Sequence, residues 1–135
     1  MEITQEINNL TRQIIGAGME VHSGLGFGFL EPVYQKAMER ELIIRNILFV
    51  PQAGLKINYK DCIVGNYYPD ILVANKIIVE LKALEEVDYR QIQTQIINYL
   101  VGSKLQVALF LNFGKPSLEF RRILIPKKFQ TFNPL

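Results

Sequence analysis

Apolar residues recur at helical spacing from the start of the chain. Ile3, Ile7, Leu10, Ile14, Ile15, Gly18 and Val21 share one face, which predicts a helix over residues 3–22. The run SGLGFG, residues 23–28, carries three glycines and is expected to stop it. A second helix is expected from Leu30 to Arg45, with Leu30, Val33, Tyr34, Ala37, Met38 and Leu42 inward. Pro32 falls in its first turn, where a proline is tolerated. From Leu48 the period changes to two. LFVPQAGLKINY reads as an edge strand, because Pro51 removes a ladder donor. DCIVGNYYPDILVA and KIIVELKAL read as two more strands joined by a tight turn near Asn75. A third helix is expected over residues 86–102, with Glu85, Glu86 and Asp88 at its positive end. QVALFLNF is apolar almost throughout, the pattern of a strand covered on both faces, and LEFRRILI supplies one further strand. The fold class is therefore α/β (α+β): a mixed central sheet flanked by helices. One domain over residues 1–125 and a C-terminal tail over 126–135 are expected.

Composition narrows the class. A chain of 135 residues, 49% apolar and 21% charged, suits one globular core. The net charge of +2 permits nucleic-acid binding without arguing for it. The single cysteine, Cys62, allows no internal disulfide and no thiolate metal cluster, and a reducing cytoplasm is the expected compartment. The N-terminal segment lacks the pattern of a signal peptide, and no apolar run approaches a membrane span.

Candidate chemistry lies in KIIVELKAL. Glu80 and Lys82 interrupt an apolar strand, two residues apart, and so project from one face of the sheet. The preceding strand carries Asp70 behind Pro69. A two-residue turn at Asn75-Lys76 would place Asp70 across from Leu81, on the wrong face. A three-residue turn, Ala74-Asn75-Lys76, would place it across from Glu80, because a one-residue slip exchanges the faces. In the second register two carboxylates repel by about 4 kcal/mol at 4 Å if the effective dielectric is near 20. A hard cation, Mg²⁺ or Mn²⁺, would remove that conflict. Lys82 would then stand beside an attacking water or a scissile phosphate. An ordinary cross-strand salt bridge is the other reading of Glu80 and Lys82. No nucleophilic triad competes: His22 stands alone, and Cys62 has no evident base. Glycines 24, 26 and 28 follow a helix, so they are not a dinucleotide fingerprint.

Two motifs carry a resemblance. PDILVANKIIVELK matches the PD-(D/E)XK nuclease signature, with Pro69-Asp70 followed after nine residues by Glu80-Leu81-Lys82, and the element order resembles the αβββαβ core of that superfamily with an extra N-terminal helix. GFLEPVY, residues 28–34, resembles the narrower GxxExxY family, as do IIGAGMEVHSGLGFGFLEPVY, VELKAL, QIINYL and LFLNFG; the similarity runs from Ile7 to Ile125. The resemblance implies Asp70, Glu80 and Glu31 as metal ligands, Lys82 as the catalytic lysine, and Glu31 and Gln95 as further active-site groups. One departure is Ile92, where the family pattern has a histidine. Glu31 also reads as a first-turn acid favoured by the helix dipole. Tyr34 reads as a core aromatic whose hydroxyl reaches the site, and Gln91 and Gln95 as a solvated stripe.

These readings imply a metal-dependent nuclease acting on DNA, with RNA as the alternative substrate. Substrate contacts are expected from Tyr34, Lys115, Arg121 and Arg122. Lys104, Lys127 and Lys128 complete a basic patch that also reads as solubilising charge. A chain this small has little room for a sequence-reading domain, so a homodimer or a protein partner is a further expectation; a membrane partner is not. The rival function is a non-cleaving nucleic-acid- or protein-binding module on a nuclease fold.

Overall fold

A computed structural model of the protein describes residues 3–129. Helix α1 spans Gln5–Leu25, with the Thr4 side chain accepting from the Ile7 N–H at its start. It runs past Gly24 and stops at Gly26, whose φ of 72° suits a residue without a Cβ. Only the second glycine of SGLGFG therefore ends the helix. Helix α2 spans Glu31–Ile44 and buries Tyr34, Met38 and Leu42.

The expected edge strand divides in two. Strand β1, Phe49–Pro51, ends at Gln52, which adopts a left-handed φ of 50°. Strand β2, Leu55–Tyr59, pairs instead with β3, Cys62–Tyr67, across a two-residue turn at Lys60-Asp61. The expected second strand divides as well. Tyr68 and Pro69 lie outside either ladder, Pro69 having no N–H to give, and β4 takes up only Ile71–Val73. Strand β5 follows at Ile77–Lys82. Five strands thus stand where three were expected, and β2–β3 form a separate two-stranded sheet.

Helix α3 spans Tyr89–Ser103 and starts three residues later than expected, because the Asp88 side chain caps it by accepting from the Gln91 N–H. Glu85 and Glu86 precede it. Strands β6, Val107–Asn112, and β7, Glu119–Leu124, complete the main sheet, whose order is β1-β4-β5-β6-β7. Only β5 and β6 are parallel, joined by α3. With the β2–β3 hairpin set aside, α2-β1-β4-β5-α3-β6 gives the expected αβββαβ order. A short 3₁₀ turn covers Lys127–Phe129; the remainder of the expected tail, 130–135, lies outside the described residues.

Each face of the sheet has its own core. Ile71, Val73, Ile77, Val79, Leu81, Leu109 and Leu111 pack with α1 and α2. Leu72, Ile78, Ala108, Phe110 and Ile123 pack with Ile96 and Leu100 of α3 and with Tyr67. All six residues of β6 are buried, as its apolar run predicts. No helix among the described residues is long and apolar enough to cross a membrane.

Candidate active site

The turn between β4 and β5 decides the site. Ala74 and Asn75 both take left-handed φ values, 52° and 55°, and the Lys76 N–H closes on the Val73 carbonyl at 2.9 Å. The ladder pairs Val73 with Ile77 and Ile71 with Val79, so three residues lie outside it. This is the longer of the two expected registers. Carried one step further, it sets Asp70 opposite Glu80, and the Asp70 N–H donates to Glu80 Oε1 at 3.3 Å.

Both carboxylates are held by one oxygen. Strand β4 starts at Ile71, so the Leu81 N–H has no strand acceptor beside it; Asp70 Oδ2 supplies one at 2.7 Å. Glu80 Oε1 also accepts the hydroxyl of Tyr67, whose ring stacks on Tyr99 of α3. The Asp70 carbonyl accepts from Gln35 Nε2 at 2.9 Å and from the Gln52 N–H at 3.0 Å, which ties the start of β4 to α2 and to the end of β1.

Electrostatics follow from removing these acids from water. Burial raises the Glu80 carboxyl from an ordinary 4.5 to about 7, against the opposing hydrogen bond from Tyr67. Burial raises Asp70 too, opposed by the Leu81 N–H and the Lys82 ammonium. Glu31, the first residue of α2, is raised by burial, lowered by Lys82 and raised again by Asp70. Lys82 makes no ion pair among the described residues, so the cross-strand salt-bridge reading of Glu80 and Lys82 does not hold. Its backbone is fixed instead: the Lys82 carbonyl accepts from the Phe113 N–H at 2.8 Å. Beside it, buried Asn112 binds Leu84 N–H, Leu84 carbonyl, Gly114 N–H and Glu119.

Two half-buried carboxylates, each with one oxygen free of hydrogen bonds among the described residues, fit a hard divalent cation that keeps part of its water shell. No group of three His, Cys, Asp or Glu side chains among the described residues could hold an ion together. Glu31 therefore joins Asp70 and Lys82 through electrostatics and lines the adjoining cleft, of about 600 Å³, with Gln35, Lys36, Gln52 and Asp70.

The other expected residues are dispersed. Tyr34 is fully buried; it stacks on Phe113, and its hydroxyl donates to the Gly26 carbonyl at 2.7 Å and accepts from the Phe29 N–H. It braces the glycine loop ahead of Glu31. Gln95 is exposed in a separate shallow hollow with Gln91, one helical turn before Tyr99. Lys115 pairs with Glu119 at 3.2 Å, and its carbonyl accepts from His22 at 2.7 Å. The Arg121 guanidinium lies 3.9 Å over the Tyr89 ring, on the α3 face, whereas Arg122 donates to Asn8 on the α1 face. Lys104, Lys127 and Lys128 follow α3 and β7, at the end of the sheet away from Lys82. The basic residues do not form one patch.

Three groups escape the sequence reading. Gln35 had a faint signal, four residues beyond Glu31 on the same helix face. Asn112 was a polar residue inside an apolar run. Tyr67 had none, since its partner Glu80 belongs to another sheet.

The profile of the PD-(D/E)XK nuclease superfamily matches residues 8–123. No curated relative matches the chain. Among solved structures, it is similar to an alkaline exonuclease from Laribacter hongkongensis, with a TM-score of 0.47 and 14% identity over 95% of this chain and 74% of that one.

Proposed function

This chain belongs to the PD-(D/E)XK nuclease superfamily, and from that premise we propose that it is a metal-dependent nuclease that hydrolyses phosphodiester bonds in DNA, with RNA as the second candidate. The observation that carries the reading is the convergence of Asp70 and Glu80 at the end of β5, next to a lysine that makes no ion pair among the described residues. Asp70 and Glu80 would hold a Mg²⁺ or Mn²⁺ ion, which when bound would supply positive charge against the phosphate and lower the pKa of an attacking water. The Lys82 ammonium donates to that water or to a phosphate oxygen, where negative charge develops. Glu31 orients solvent at the cleft wall. Gln95, Lys115 and Arg121 contact the strand that leaves the site, and Arg122 touches it only if substrate wraps the β7 edge.

The narrower GxxExxY grouping belongs to the same proposal, and each of its positions has a physical use. Gly28 takes a φ of 111°, which a side chain resists; Glu31 opens α2 at the cleft; Tyr34 ties the intervening loop.

The test is cleavage of labelled single- and double-stranded DNA and RNA with Mn²⁺. Asp70→Ala, Glu80→Ala and Lys82→Ala are each expected to lower the rate at least 10²-fold, with circular dichroism unchanged. Salt-sensitive binding without any cutting, unaltered in Asp70→Ala, would replace the enzyme with a binding module.

A further inference from the structure

The hydrogen bonds around the carboxylate pair are asymmetric. Glu80 Oε1 receives two donors, the Tyr67 hydroxyl and the Asp70 N–H, while Oε2 has no partner among the described residues. Asp70 Oδ2 receives the Leu81 N–H, while Oδ1 has no donor among the described residues. The Tyr67 ring is nearly buried and stacks face to face on Tyr99, with centroids 3.6 Å apart and planes within 11°. The phenol therefore has little rotational freedom, and its proton points to one acceptor.

We propose that Tyr67 is a positioning residue: by occupying Glu80 Oε1 it leaves Oε2 alone for the cation, and so tunes the site toward Mg²⁺ or Mn²⁺ and against the larger Ca²⁺. The inference rests on the reading of Asp70 and Glu80 as cation ligands. Its chemistry is the difference between the ions. Ca²⁺ gathers six to eight oxygens, often taking both oxygens of one carboxylate; Mg²⁺ accepts single carboxylate oxygens and keeps water for the rest. A clamp on Oε1 disfavours the two-oxygen mode. The clamp is delivered by the β2–β3 hairpin, which contributes no strand to the main sheet. It is steadied by α3, so two elements outside the β4–β5 pair shape the ligand.

Tyr67→Phe tests this, because it keeps the stacked ring and removes only the hydroxyl. Mn²⁺ and Ca²⁺ affinities are measured by calorimetry on wild type and variant, with the metal-free melting curve as the control for folding. The expected result is a loss of about 10-fold in Mn²⁺ affinity with Ca²⁺ affinity equal or higher. Tyr99→Leu, which loosens the ring and keeps the hydroxyl, is expected to lower Mn²⁺ affinity in the same direction. Equal Mn²⁺ binding by wild type and Tyr67→Phe, or a parallel loss for both ions, overturns the clamp and leaves the ligand reading standing. Wild type that binds neither ion overturns both.

Discussion

At Glu80, burial and hydrogen bonding pull the same proton in opposite directions, and burial wins: the carboxyl titrates near 7 rather than 4.5. The folded chain thus holds this proton more tightly than the unfolded chain does. As pH rises from about 4.5 to 7 the unfolded state loses the proton first, so the folded state is progressively disfavoured. In chelator, stability is expected to fall by on the order of 2–3 kcal/mol across that window, converting the shift at about 1.4 kcal/mol per pH unit. Glu80→Gln, which cannot ionise, should flatten the profile; a urea titration series at several pH values reads both. Asp70, also raised, adds a loss of the same sign. The identities of Asp70, Glu80 and Lys82 were legible because their spacing is a local property. Repulsion between two facing acids already implied that one would resist ionising; that burial is the larger cause at Glu80 was not legible, because it depends on surroundings that only the assembled sheet creates.

Among the elements, the β4–β5 turn has the most consequence for the site. Both registers were open in the sequence, and alternation could not choose between them: ILV and IIV are buried on both faces of the sheet, so a slip would still have put apolar residues in a core. The backbone chooses by placing Ala74 and Asn75 in left-handed geometry. Asn75 tolerates this well; Ala74 pays a steric cost. Ala74→Gly is therefore expected to stabilise the protein by about 0.5–1 kcal/mol, the relief of strain exceeding the extra unfolded-state entropy. The check is a higher urea midpoint at unchanged slope. The splitting of the two long strand segments had only a partial signal. Pro69 marks one break, whereas the packing of the β2–β3 hairpin on α3 left no mark along the chain: a Cβ on Gly102 would come within 2.8 Å of Ile57.

Across the whole molecule, the main sheet lines up two rows of functional interest. Register places Glu80, Phe110 and Arg121 in one row and Lys82, Asn112 and Glu119 in the next. Adjacent strands lie roughly 5 Å apart, so the Arg121 backbone is about 10 Å from that of Glu80. Arg122, one residue on, belongs to the opposite face. A substrate crossing the α3 face meets Arg121 and not Arg122. Arg121→Ala is expected to reduce the slope of log affinity against log salt by about 0.7–0.9, the contribution of one phosphate contact, and Arg122→Ala to leave it unchanged. Fluorescence anisotropy across a salt series measures both slopes.

The sequence by itself determined the helices, the buried central strand and the spacing of the acid–acid–lysine trio, because each is written in periodicity or spacing along a short stretch. Tertiary structure alone decided which face Asp70 takes, where the hairpin leaves the sheet, that Lys82 makes no ion pair among the described residues and that Tyr67 grips Glu80. Those outcomes depend on contacts between segments far apart in the chain, whose geometry is fixed only when two separate cores close on opposite faces of one sheet.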